Sequence, residues 1–112
     1  MPPVREVFNN RTGGSPADGV AFPWWKDGPL AIYIVNSQDV DALVEIHANM
    51  GQDTSQRLPV PLRSVSVGIG QRRLITLNPN GGDAWAPWVW PVVSGIGTAT
   101  AGNVAVQMST PV

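Results

Sequence analysis

Residues 39–50 read Asp39-Val40-Asp41-Ala42-Leu43-Val44-Glu45-Ile46-His47-Ala48-Asn49-Met50. This is the only stretch of the chain worth testing as a helix, so its periodicity decides the fold class. Val44, Ile46, Ala48 and Met50 alternate with Leu43, Glu45, His47 and Asn49, a period of two rather than 3.6. The segment is a strand. Twelve Gly and eleven Pro in 112 residues interrupt the chain too often for long helices elsewhere.

Working outward, six further strands are expected: Val4 to Phe8, Leu30 to Val35, Ser64 to Ile69, Arg73 to Leu77, Trp88 to Ser94 and Asn103 to Ser109. About seven strands separated by turn chemistry predict an all-β fold, an antiparallel β-sandwich or jelly-roll-like Greek key. The turns suggest local pairings. Asn36-Ser37-Gln38-Asp39 reads as a hairpin into the Val44 strand, and Gly70-Gln71 as a two-residue hairpin turn. Trp88 to Ser94 and Asn103 to Ser109 read as a terminal hairpin. Asn9 to Gly19 and Gly51 to Pro61 read as loops. A single domain spans residues 1–112, with 1–25 as an extended N-terminal arm.

At this length folding buries roughly 65% of the unfolded surface, enough for one modest core. Hydrophobic residues make up 43% of the chain and charged residues only 13%, against roughly 25% charged in ordinary globular domains. Such a surface is either coated with small polar residues or covered in an assembly. A formal charge of −1 leaves no electrostatic footprint for nucleic acid. No apolar run reaches the ~18 residues of a membrane span. Without cysteine there is neither a disulfide framework nor a thiolate nucleophile. Met-Pro-Pro-Val-Arg-Glu has no basic and apolar leader pattern, so synthesis in the cytosol, or prior removal of a signal, is expected.

Two strands are apolar on both faces. In Trp88 to Val93, Trp88, Trp90 and Val92 oppose Val89, Pro91 and Val93; in Leu30 to Val35, Leu30, Ile32 and Ile34 oppose Ala31, Tyr33 and Val35. A one-domain sandwich normally buries one face of each strand, so the second faces ask for a cover. Either the N-terminal segment with Phe22, Trp24 and Trp25 folds back over them, or a neighbouring subunit does. Pro91 cannot donate to a ladder and points to an edge strand or a bulge. The expected contact residues are Trp24, Trp25, Ile32, Tyr33, Ile34, Trp85, Trp88, Trp90 and Pro91, and the expected state is a homo-oligomer.

Catalytic patterns are not found. His47 is the only histidine, which excludes sites needing two His ligands from one chain. On the polar face of its strand it reads as a solvated or hydrogen-bonded residue, with Glu45 two positions away. Asp39, Asp41 and Asp53 could meet at one loop end around Ca²⁺, but no EF-hand spacing supports that, and turn capping is the simpler role. Gly68-Ile69-Gly70 precedes no helix that could hold a phosphate. Arg72-Arg73 is a solvated pair or an inter-subunit salt-bridge donor. No cofactor, metal or enzymatic activity is expected. The alternative function is carbohydrate binding through Trp24, Trp25, Trp85, Trp88 and Trp90, with Asn80 and Asp83 as hydrogen-bonding partners.

Asp83-Ala-Trp-Ala-Pro-Trp-Val-Trp-Pro-Val-Val, followed by Thr98-Ala-Thr-Ala-Gly-Asn-Val-Ala-Val-Gln-Met, resembles the closing strands of small β-sandwich structural proteins of tailed-bacteriophage particles. Ile34-Val35-Asn36-Ser37, then Val40-Asp41-Ala42-Leu43-Val44-Glu45-Ile46, resembles an earlier hairpin of the same proteins. Together these motifs cover about half of the chain. The resemblance implies a virion structural role: a capsid decoration (cement) protein, or a tail or filament subunit. Its partners would be copies of itself and a larger particle such as a capsid or tail. It would be made in the host cytoplasm and end in the extracellular particle. The resemblance carries over no catalytic residue.

Overall fold

The computed structural model describes residues 4–10, 17–24, 28–55, 60–95 and 99–110. Among these residues nine strands succeed one another: β1 (Val4–Asn10), β2 (Ala17–Asp18), β3 (Phe22–Pro23), β4 (Leu30–Asn36), β5 (Ala42–Asn49), β6 (Arg63–Val67), β7 (Arg72–Leu77), β8 (Trp88–Ser94) and β9 (Val104–Ser109). Among the described residues the only helical turn is a 3-10 turn at Pro79–Gly81. Each of the seven expected strands is present, and β2 and β3 are added as two short pieces of one interrupted strand.

One sheet has the order β1-β9-β4-β7; the other runs β2-β8-β5-β6, with β3 also pairing β8. All pairings are antiparallel and they nest: β1 with β9, β2 and β3 with β8, β4 with β7, and β5 with β6. That nesting is the strand order of a jelly roll, a double-sheet solution to the problem of open strand edges.

The core lies between the sheets. Leu30, Ile32 and Ile34 of β4, Val104, Val106 and Met108 of β9, and Val44, Ile46 and Ala48 of β5 are all buried. Full burial of each Val, Leu or Ile side chain contributes about 1.5–3 kcal/mol. In β1 the register shifts between Glu6 and Phe8, so that Val7 and Phe8 are both buried. The Arg5 guanidinium lies 5.9 Å from the ring centroid of Phe22, linking the two sheets at their shared edge. Residues 1–25 are therefore not a free arm where they are described: β1, β2 and β3 belong to the sandwich.

Three expected hairpins are not hairpins. The turns after β4, β6 and β8 each carry the chain from one sheet to the other, since β4, β7 and β9 lie in one sheet and β5, β6 and β8 in its partner. Turn residues set a local change of direction, and the same chemistry serves a return within a sheet or a step across. Gly70 does take a positive φ of 71°, but its turn leads from β6 across to β7. Pro91 also lies elsewhere than expected, because β8 is flanked by β2 and β3 on one side and β5 on the other. Its carbonyl accepts from Gly19 N at 2.7 Å, so its missing N–H faces the same side, opposite the break between β2 and β3. The irregularity sits in the neighbouring strand.

At the end where the crossovers gather, Asn36 continues the inward series of Leu30, Ile32 and Ile34 and is fully buried. Its Nδ2 donates to the carbonyls of Val40 (2.9 Å), Val67 (3.0 Å) and Gly68 (3.2 Å), and its Oδ1 accepts from Gln38 N at 3.0 Å. Next to it, Ser37 N donates to Asn103 O at 2.9 Å. Gly102, at φ 81°, packs so closely on the Ser37 carbonyl that any Cβ there would collide with it. Replacing Asn36 with Ala leaves the buried Val67 carbonyl and the part-buried Val40 and Gly68 carbonyls short of a donor and opens a void. Asn36→Ala is expected to lower unfolding stability by about 2–4 kcal/mol, read as a lower urea midpoint at unchanged slope.

Candidate interaction surface

Each sheet has an outer face, and the two differ. On the β5–β8 face, register places Trp90 opposite His47, Val92 opposite Glu45 and Trp88 opposite Asn49. The expected alternation holds, because Val89 and Val93 belong to the core cluster while Trp90 does not. Yet Trp90 is 0% and Val92 3% exposed, and His47 is buried as well. The middle of this face is thus covered within one chain, while Leu43, 39% exposed, and the half-buried Trp88 keep apolar surface at its two ends. His47 is not the solvated residue its strand pattern suggests. Its Nε2 stands 3.6 Å from Glu45 Oε1, while its Nδ1 and the Trp90 Nε1 are buried with no hydrogen-bond partner.

Trp24 does not provide that cover. It is fully buried in the core cluster, on the continuation of β3. Its N donates to Pro87 O and its Nε1 to Gly28 O, while its carbonyl accepts from Trp85 Nε1 at 2.6 Å. Trp85, 42% exposed, caps this end with its polar atom already engaged. Ile32 and Ile34 face the core and are fully buried, and Pro91 is also buried. Of the expected contact residues, Tyr33, Trp85 and Trp88 keep exposed surface, on different parts of the molecule; Trp25 lies outside the described residues.

The other outer face is open. Register across β1, β9, β4 and β7 aligns three rows: Val4, Ser109, Ala31 and Thr76; Glu6, Gln107, Tyr33 and Leu74; Asn9, Ala105, Val35 and Arg72. Small residues in the middle columns lie lower than Tyr33, Leu74 and Val4, which produces a groove of about 230 Å³ with Met108 in its lining. Val4 is 61% and Leu74 68% exposed. The doubly apolar pattern of β4 pointed to this face through Tyr33. Val4, Leu74 and Glu6 were not singled out, because their strands look one-sided until the register places them beside β9 and β4.

The carboxylates lock turns. Asp39 accepts from the Thr100 hydroxyl and, at 3.0 Å, from Thr100 N; Asp41 accepts from Ile69 N at 3.1 Å; Asp53 accepts from Ser55 N and Oγ. Among the described residues no group of three or more His, Asp or Glu could hold a metal ion. Asp83 accepts from Asn78 N at 2.8 Å and pairs with Arg63 at 3.2 Å. The Thr100 hydroxyl holds the Asp39 carboxyl below its ordinary value of 3.8, the Asn78 N–H and then Arg63 do so for Asp83, and the Ser55 hydroxyl does so for Asp53. A depressed folded-state pKa adds stability above the unfolded value of about 3.9, and that stability is lost as pH falls through the folded value. Thermal unfolding is therefore expected to show no contribution from these groups to pH dependence between about pH 5 and 7 and a fall below about pH 4. D39N and D83N should each flatten that acid limb; an unchanged limb in both variants would count against these locks.

No protein-family model and no curated protein matches this sequence.

Proposed function

We propose that the chain is a non-enzymatic structural protein of a virus particle, a capsid decoration (cement) protein or a tail subunit. It acts by associating with itself and docking on a larger particle. The observation that carries this reading is the groove-bearing outer face of β1-β9-β4-β7, whose two middle columns, Ser109, Gln107 and Ala105 beside Ala31, Tyr33 and Val35, hold no charge. Jelly rolls serve both as capsid domains and as lectins, so the strand order alone does not choose between them. The tryptophans favour assembly. Sugar recognition uses accessible rings, and Trp24 and Trp90 are buried while the Trp85 indole N–H is bonded to a backbone carbonyl.

Sedimentation velocity over a rising concentration series is expected to show species larger than the 11.9 kDa chain, and electron microscopy of the native source to find the protein on particles. A clean monomer that binds no particle would overturn the reading. Tryptophan emission is expected to stay unchanged across a glycan panel; a saturable shift would instead support the carbohydrate-binding alternative.

A further inference from the structure

Among the described residues, the aligned rows of the open face carry two charges, at opposite edges. Glu6 stands on β1, the outermost strand on one side, and Arg72 on β7, the outermost strand on the other. Both are exposed, and the Arg72 guanidinium leans inward to within 3.5 Å of the Tyr33 hydroxyl. Between them the described residues of the rows are uncharged. A surface with one sign at each edge is complementary to its own copy turned over, because a two-fold axis along the strand direction carries the β1 edge over the β7 edge. Arg72 lies one row from Glu6 in the aligned register, a spacing of about 7 Å that an arginine side chain spans.

We propose that a second copy of this chain packs face to face on the β1-β9-β4-β7 sheet, about a two-fold axis parallel to the strands. In that pairing β1 of one copy lies over β7 of the other and β9 over β4, so Tyr33 packs on the partner's β9 beside the groove at Ser109, Leu74 packs on the partner's β1 beside Val4, and Arg72 of each pairs with Glu6 of the other. The proposal rests on the self-association part of the function proposed above and assigns the surface that performs it. Four strands at about 4.8 Å spacing and three rows at about 6.8 Å give a face on the order of 400 Å² per copy. That is about half of what a standard stable interface buries on each partner. The pairing is therefore weak and concentration-dependent in solution, and becomes firm where many copies are held together.

The test is sedimentation equilibrium from about 10 μM to 1 mM on the whole chain, with circular dichroism confirming the fold of each variant. Wild type is expected to dimerise reversibly within this range, and Leu74→Asp, on an exposed edge position, to abolish dimerisation. E6R and R72E should each weaken it about tenfold by placing like charges together, and the E6R/R72E double variant should recover wild-type affinity within about threefold. Raising salt from 50 to 500 mM should weaken the wild type and the double variant alike. If wild type associates but L74D leaves association intact, this face is not the contact, while the broader assembly reading stands. If the single reversals weaken and the double variant fails to recover, the two-fold register is overturned. A wild type that stays monomeric at 1 mM overturns the pairing and the self-association reading together, leaving particle docking to be judged by microscopy.

Discussion

The carboxamide of Asn36 holds together the turns on which the two-sheet arrangement depends. It sits at the last inward position of β4 and binds Val40 in the crossover to β5, and Val67 and Gly68 at the start of the crossover to β7. Its own N–H donates to Gln71 O, at the far end of that second crossover. Two amide protons shared among three carbonyls satisfy backbone groups that would otherwise be stranded where strands leave their sheets. The third crossover, from β8 to β9, is joined to the same knot through Ser37 and Asn103 and through Thr100 and Asp39. With the crossovers fixed at one end, β4 and β5 are committed to opposite sheets, and the nested pairing follows.

At the opposite end the closing device is aromatic. Trp24 fills the mouth of the core and is held there by its N–H donating to Pro87 O and its indole Nε1 donating to Gly28 O, with the Trp85 indole donating to its carbonyl. The segment between β7 and β8 is anchored separately, through Asp83 to Asn78 N and Arg63. A polar knot and an aromatic plug thus bracket one apolar core, which is how a chain without disulfides closes a small sandwich.

Strand positions were legible in the sequence because alternation is local. Residues 30–35, 88–94 and 103–109 can be placed from their own pattern, and β2 and β3 were too short to show one. Pairing was not legible, since it joins residues such as Glu6 and Gln107 that lie far apart in the chain. A hint did exist in β4: Asn36 shares the parity of Leu30, Ile32 and Ile34, and a polar residue at a core position signals a backbone that needs bonding there. Both β8 and β4 are apolar on two faces in the sequence, and the chain itself covers the second face of only one of them. Trp90 and Val92 are covered within the chain, whereas Tyr33 and Val35 keep exposed surface.

That difference has an electrostatic side. The β5–β8 face carries Glu45 and His47 beside its tryptophans, and enclosing it leaves the Trp90 Nε1 and His47 Nδ1 unpaired, each at about 1–3 kcal/mol. The β9–β4 strip carries no charge, and its polar side chains, Ser109, Gln107 and Tyr33, are neutral. Covering it costs less than burying ionised groups, provided the Gln107 carboxamide and the Tyr33 hydroxyl keep hydrogen-bond partners. The same absence of charge gives the strip no means of choosing a partner. Selectivity falls to the edges, where Glu6 and Arg72 are the charges that the register sets in the rows flanking it. A face built this way is indifferent at its centre and discriminating at its rim, which is why the proposed pairing turns on the edge charges Glu6 and Arg72 rather than on the apolar strip.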